Sequence, residues 1–294
     1  TSISTLAAGT KITVRVTSAE TTNYTSAYKD YTLTIAAAGS ASFDITLSNN
    51  TFEYDGTEKE PRVTIKVDGK TLVAGTDYDV SYRDNINSGT ATVTITGKGN
   101  YAGSIGTKEF TITKRKLTLK AWSVDKVYDG NALTSDKYEI TSGSVASGQT
   151  LTVTTSGSIT NVGTTLNKID TYKITVTSTS EDVTKNYDVT TLDGTLKVTP
   201  ATITGSVTIT GTNTYGQTLT ASVTTNPTDC TLTYNWYYST SATATSGTNI
   251  GTGSTLTLND TTYIGKYIFV TVTASKTNYS DATFSDRTNA TNNG

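Results

Sequence analysis

Hydrophobic and polar positions alternate along this chain. Ile12, Val14 and Val16 fall on one side of "KITVRV", and Val63, Ile65 and Val67 oppose Arg62, Thr64 and Lys66 in "RVTIKV". Val93 and Ile95 in "ATVTITG", Ile174 and Val176 in "YKITVTS", and Leu232, Tyr234 and Trp236 in "LTYNWYY" continue the pattern. A period of two with threonine or charge outward predicts half-buried antiparallel strands. Turn clusters such as "VDGK", "GKGN", "SGSVASG" and "GTGS" separate them at the spacing of many short strands. No stretch combines a 3.6-residue pattern with caps, so no long helix is expected. The predicted class is all-β, with sandwiches favoured over closed barrels.

Internal repeats mark the boundaries. "EYDGT" at 53–57 returns as "VYDGN" at 127–131, each after a short strand and before a longer one. The units they define close on "KEFTITK" and "GTLKVTP", which places them at 39–114 and 115–200. A second pair brackets these two: residues 8–35 read like residues 264–291, a Val-rich strand followed by Asn-Tyr and a last strand. Residues 1–38 are therefore the tail half of a unit whose full version spans 201–294. Half a sandwich cannot bury its own face, so it must stack on a neighbour or be completed.

Composition narrows the function. About a quarter of the chain is threonine and it holds 18 tyrosines, both strand-favouring. The net charge of -2 supplies no basic stripe for nucleic acid or an anionic membrane. No apolar run reaches bilayer length, so no membrane insertion is expected in this segment. Met is absent even at position 1, which reads as a fragment or processed product whose export signal lies outside it. Cys230 alone excludes an internal disulfide, and the lack of His and Met suits an exported environment.

The residues "FEYDGTEKEPRVTI", "AGTDYDVSYRDNINSGTATVTITGKGNYAGS", "KVYDGNALT" and "NYDVTTLDGTLKVT" resemble YDG/MBG-type Ig-like repeats of large bacterial surface proteins. "LTYNWYYST" and "LNDTTYIGKYIFVTVTAS" resemble a second bacterial Ig-like repeat. The resemblance covers nearly the whole chain. It implies tandem Ig-like antiparallel β-sandwich domains in an elongated array, at the bacterial cell surface or secreted. No anchor signal, mucin-binding signature or catalytic module accompanies it.

Two readings compete at Tyr54-Asp55-Gly56 and Tyr128-Asp129-Gly130. In the structural one, Tyr packs over the sandwich edge, Asp bonds a backbone amide and Gly takes a left-handed turn. In the other, ring and carboxylate hold a sugar. The shared position between two strands favours the turn. The acid pairs Asp77/Asp79, Glu53/Asp55 and Glu181/Asp182 show neither a split catalytic cleft nor a calcium loop. Without His there is no Ser-His-Asp arrangement, no His metal site and no activator for Cys230. No enzyme, cofactor or metal is expected. Trp236 is assigned to an Ig-type core strand, and Tyr237, on the opposite face, is the aromatic a ligand would contact. The favoured role is a non-catalytic stalk of an adhesin-like protein, its partners being neighbouring domains of the same long chain. The alternatives are a self-assembling filament or surface-layer subunit, which binds other copies by strand complementation, and a module that binds a host glycan or protein.

Overall fold

The computed structural model describes residues 6, 9–35 and 41–293. The chain is all-β, and the helical pieces among the described residues are single 3-10 turns at Gly99–Tyr101, Thr184–Asn186 and Thr261–Tyr263. It divides into two compact units. The first comprises Thr1–Leu119, Ile140–Val153 and Thr171–Thr191; the second comprises Lys120–Glu139, Thr154–Asp170 and Leu192–Gly294.

The first unit holds a hairpin of β1 (Lys11–Ser18) and β2 (Ala27–Thr34). It also holds a sandwich of β3 (Asp44–Leu47), β4 (Thr51–Glu53), β5 (Val63–Val67), β6 (Lys70–Thr71), β7 (Tyr78–Arg83), β8 (Gly89–Gly97) and β9 (Ile105–Thr113). The sheets run β3-β5-β6 and β4-β9-β8-β7. Ile65, Val93, Ile95, Phe110 and Ile112 are fully buried between them, as alternation on both inner faces requires.

Next come β10 (Arg115–Ala121), β11 (Val124–Val127), β12 (Tyr138–Gly143), β13 (Gln149–Ser156), β14 (Gly163–Val176), β15 (Tyr187–Leu192) and β16 (Gly194–Thr199). Their sheets run β12-β10-β15 and β11-β16-β14-β13, and their residues are divided between the two units. Leu117 and Ile174 are buried in the first unit, and Leu133, Leu196 and Val198 in the second.

The second unit continues with β17 (Ala201–Thr202), β18 (Thr204–Thr210), β19 (Thr218–Asn226), β20 (Thr231–Ser239), β21 (Thr248–Gly251), β22 (Thr255–Thr257), β23 (Tyr267–Ser275), β24 (Tyr279–Ser280) and β25 (Ala282–Ala290). Sheets β18-β19-β22 and β21-β20-β23-β25 enclose Leu219, Trp236, Leu258, Ile268 and Val270. On the outer surfaces, threonine hydroxyls meet across strands: Thr218 with Thr257 at 3.0 Å and Thr273 with Thr283 at 3.2 Å. Such cross-strand pairs explain why a strand-rich chain accumulates threonine.

Two features depart from a purely antiparallel plan with buried inner faces. Strand β4 pairs in parallel with β9, and β11 pairs in parallel with β16. Each of these short strands therefore ends beside the end of its sandwich's last strand, where the chain leaves for the next sandwich. The second departure is the hairpin. Its alternation makes a strand pair, but Val14, Val16, Tyr31 and Leu33 remain exposed because no second sheet covers them among the described residues.

Candidate functional site: the tyrosine junctions

The parallel strands deliver the two YDG tyrosines to the exit of their sandwiches. The Tyr54 amide donates to the Thr113 carbonyl at 2.9 Å, and the Tyr128 amide to the Thr199 carbonyl at 2.8 Å. Strand β10 begins two residues after Thr113 and β17 two after Thr199. A side chain at this point meets whatever the chain builds next.

For Tyr54, inside the first unit, that is Tyr187. The rings meet edge to face, centroids 5.6 Å apart and planes at 76°, and both are buried. Gln149 joins their hydroxyls: its Nε2 donates to Tyr54 Oη at 2.7 Å, and Tyr187 Oη donates to its Oε1 at 2.7 Å. The Ala146 amide donates to Tyr187 Oη at 2.9 Å. Burial pushes the Tyr187 phenol above its ordinary pKa, against the opposing effect of the Ala146 amide. Beside the rings, the buried Asn186 accepts from the Ser88 amide at 2.9 Å and donates to Asn87 Oδ1 at 2.8 Å.

Inside the second unit the arrangement recurs one sandwich later. Tyr128 meets Tyr279 edge to face at 5.7 Å and 76°. Asn278 accepts from the Val162 amide at 2.9 Å and donates to Asn161 Oδ1 at 3.0 Å. The parts correspond one to one. A YDG tyrosine and an Asn-x-Gly turn (Asn87-Ser88-Gly89 or Asn161-Val162-Gly163) receive an Asn-Tyr dipeptide (Asn186-Tyr187 or Asn278-Tyr279). The second junction differs in that Tyr128, Asn278 and Tyr279 are half-buried, where Tyr54, Asn186 and Tyr187 are buried.

The rest of each tripeptide shapes the turn. Asp55 Oδ1 accepts from the Thr57 amide at 2.9 Å, from the Thr57 hydroxyl at 2.7 Å and from the Lys59 ammonium. Partial burial pushes the Asp55 carboxyl up, but these three donors outweigh it and hold the pKa down at about 2. Asp129 Oδ1 accepts from Lys126 Nζ at 2.6 Å and from the Asn131 amide at 2.9 Å, and the lysine is the first cause of its lowered pKa. Gly56 and Gly130 have φ of +82° and +81°, where a side chain is strained. A Cβ on Gly56 would also lie 2.9 Å from Gln149 Nε2, whereas one on Gly130 would meet nothing.

A third version escaped the sequence reading because its aspartate is missing. In "TYGQT" the Tyr215 amide donates to the Asn292 carbonyl at 3.1 Å, and Gly216 has φ +82°. Its signal was the Tyr-Gly pair ahead of the long strand β19. The Asn-Tyr half of the junction was equally visible as a repeated dipeptide, but nothing in one sequence said which tyrosine it meets.

The remaining candidates lie apart from these junctions. Trp236 is fully buried and its Nε1 donates to the Gly253 carbonyl at 2.8 Å. Tyr237 is half-buried and stacks on Phe269, centroids 5.0 Å apart and planes 18° apart, with the Arg287 guanidinium 4.9 Å from the Phe269 ring. One face of Tyr237 is therefore already used. Asp77 accepts from the Val73 amide, Asp79 pairs with Lys98, and Asp182 accepts from the Thr184 amide while facing Lys173. The Cys230 thiol donates to the Pro227 carbonyl. Among the described residues no three His, Cys, Asp or Glu side chains gather to hold a metal ion.

No family model and no curated protein sequence matches the chain. Among solved structures it is similar to domains A168–A170 of titin, at 14% identity over 86% of this chain and 99% of that one, with a TM-score of 0.25. It is also similar to the N-terminal four Ig domains of Dscam1 isoform 6.9, at 11% identity over 92% and 77%, with a TM-score of 0.25. Cadherin domains 1–4 of protocadherin gamma B7 match at 8% identity over 95% and 83%, with a TM-score of 0.22.

Proposed function

We propose that this chain is a non-catalytic spacer of a bacterial surface or secreted protein, in which successive sandwiches are clamped by tyrosine junctions. The repeated junction carries the reading: an edge-to-face ring pair and an Asn-to-turn bond pair recur between each sandwich and the part of the next that meets it. A linker alone would leave neighbouring domains free to reorient. Rings packed edge to face, with a hydrogen-bonded asparagine beside them, restrict that motion. The acids bonded to nearby amides and lysines support a surface without acid–base machinery. The resemblance to YDG/MBG-type repeats supports the extracellular setting.

Spin labels on β8 and β15, both in the first unit, test the clamp. A narrow distance distribution that broadens in Gln149→Ala is expected. Equally broad distributions in both chains would sink it. Small-angle scattering over a concentration series tests the spacer role: the profile should not change with concentration, and particles that grow would favour the self-assembling alternative.

A further inference from the structure

The N-terminal hairpin repeats the one formed by β23 and β25 at both ends, although the second carries a register shift between Tyr267 and Phe269 that the first lacks. The Gly9 amide donates to the Ile35 carbonyl at 2.8 Å and the Ile35 amide to the Thr10 carbonyl at 2.9 Å. The Gly265 amide donates to the Thr291 carbonyl at 2.9 Å and the Thr291 amide to the Lys266 carbonyl at 2.8 Å. Gly9 and Gly265 share a left-handed backbone, φ +81° and +76°. At the far end, the Tyr24 amide donates to Thr21 as the Tyr279 amide does to Lys276. The cross-strand partners Val14/Tyr31 correspond to Val270/Asp286.

What surrounds the two hairpins differs. Ile268, Val270 and Val272 are completely buried, packed with Val207, Leu219 and Leu256 of the facing sheet. The edge of β23 away from β25 is paired with β20 along its length. Their counterparts Val14 and Val16 are 39% and 57% exposed, Tyr31 and Leu33 are 50% and 54% exposed on the same face with Lys29 Nζ 5.3 Å from the Tyr31 ring, and β1 pairs only with β2 among the described residues. The opposite face already has its own polar cover, with Arg15 paired to Asp30 through two 2.7 Å bonds and 4.1 Å from the Tyr28 ring. The hairpin is amphipathic, and no second sheet covers its apolar side among the described residues.

We infer that residues 9–35 are the closing half of a sandwich of the 201–294 kind, and that their apolar face and the free edge of β1 take an opening half with the pattern of residues 201–263. A strand like β20 adds to β1, and a sheet like β18-β19-β22 covers Val14, Val16, Tyr31 and Leu33. The occupant is joined in cis ahead of the hairpin. In 201–294 the opening half precedes the closing one, and a tethered half is present at an effective concentration near millimolar. A second copy of this chain is the poorer source. Its own 201–263 half is closed by β23 and β25, and lending it would expose Trp236, Val270 and Val272 to water. The inference is independent of the spacer reading.

The test compares the present chain with one carrying a second copy of residues 201–263 directly ahead of residue 8. In the extended chain, exchange of the β1 amides that face away from β2 should slow by about a hundredfold or more. Val14→Asp should abolish that protection while leaving the unextended chain's melting unchanged. Unchanged exchange in an extended chain whose added strands are themselves protected overturns the inference. If the added half does not fold, the reciprocal chain decides, with residues 9–35 in place of 265–291. Retained protection of β20 supports the equivalence of the hairpins, and its loss overturns it. Dimers of the unextended chain that vanish in Val14→Asp would overturn the cis source in favour of a second copy.

Discussion

Tyr54 and Tyr187 stand 133 positions apart in the chain, yet their rings meet edge to face at 5.6 Å and their hydroxyls share one glutamine. The Ala146 amide feeds Tyr187, whose hydroxyl feeds Gln149, whose amide feeds Tyr54. Polar groups held this way in a buried place rigidify only while every member is satisfied.

Removing the middle of that relay should therefore cost more than removing its end. Gln149→Ala leaves the Tyr54 hydroxyl without its donor and the Tyr187 hydroxyl without its acceptor, a loss of about 1–3 kcal/mol of local stability. Tyr54→Phe deletes a hydroxyl along with its bond and should cost about 1 kcal/mol or less. Amide exchange at Asn186 and Tyr187 reports both. Equal effects would mean that the relay contributes no more than its single bonds.

The two YDG glycines should respond differently to alanine. Both substitutions impose a left-handed alanine, worth about 1–2 kcal/mol. Gly56→Ala also drives a methyl group against Gln149 Nε2, whereas Gly130→Ala enters open space. Thermal melts should show the larger drop for Gly56→Ala, and its junction amides should lose protection. A larger drop for Gly130→Ala would contradict this account of the first junction.

Asp55 makes the fold acid-sensitive in a definable window. Its folded pKa of about 2 lies below the ordinary value near 3.9, so the stabilisation is complete above pH of about 4 and is lost as pH falls toward 2. Asp129, lowered by Lys126, acts with the same sign. Asp55→Asn should lower the melting temperature at neutral pH and flatten its fall between about pH 4 and 2. A variant that melts in parallel with the native chain across that range would remove Asp55 from the acid response.

Trp236 anchors the second unit. Trp236→Ala leaves a large cavity among Leu219, Leu258, Ile268 and Val270 and orphans the Gly253 carbonyl, at a cost of about 3–5 kcal/mol. Protection of the β20 and β23 amides should fall accordingly, while β8 and β9 in the first unit keep theirs. Loss of protection in both units would show that they unfold as one.

Much of this molecule was legible in its sequence. Alternation at Val63, Ile65 and Val67 or at Leu232, Tyr234 and Trp236 identifies strands because the side-chain period of an extended backbone is a local property. The repeated YDG marks a repeated turn for the same reason: Asp55 and Asp129 each bond an amide two residues on, and the glycines need no distant partner to take positive φ. Likewise, the matching residues of 8–35 and 264–291 fold into similar hairpins, because the bonds between the two strands of each join residues close in the chain.

Partners distant in the chain were decided by tertiary structure alone. Nothing near Tyr54 in sequence points to Gln149 or Tyr187, and nothing near Tyr128 points to Tyr279. Those pairs exist because β4 and β11 run parallel to the last strands of their sandwiches, bringing each tyrosine to the point where the chain departs. Burial followed the same rule. Val14 and Val270 sit in like sequences and like hairpins, but only Val270 is covered, because alternation chooses which face is apolar and only a second sheet can remove that face from water.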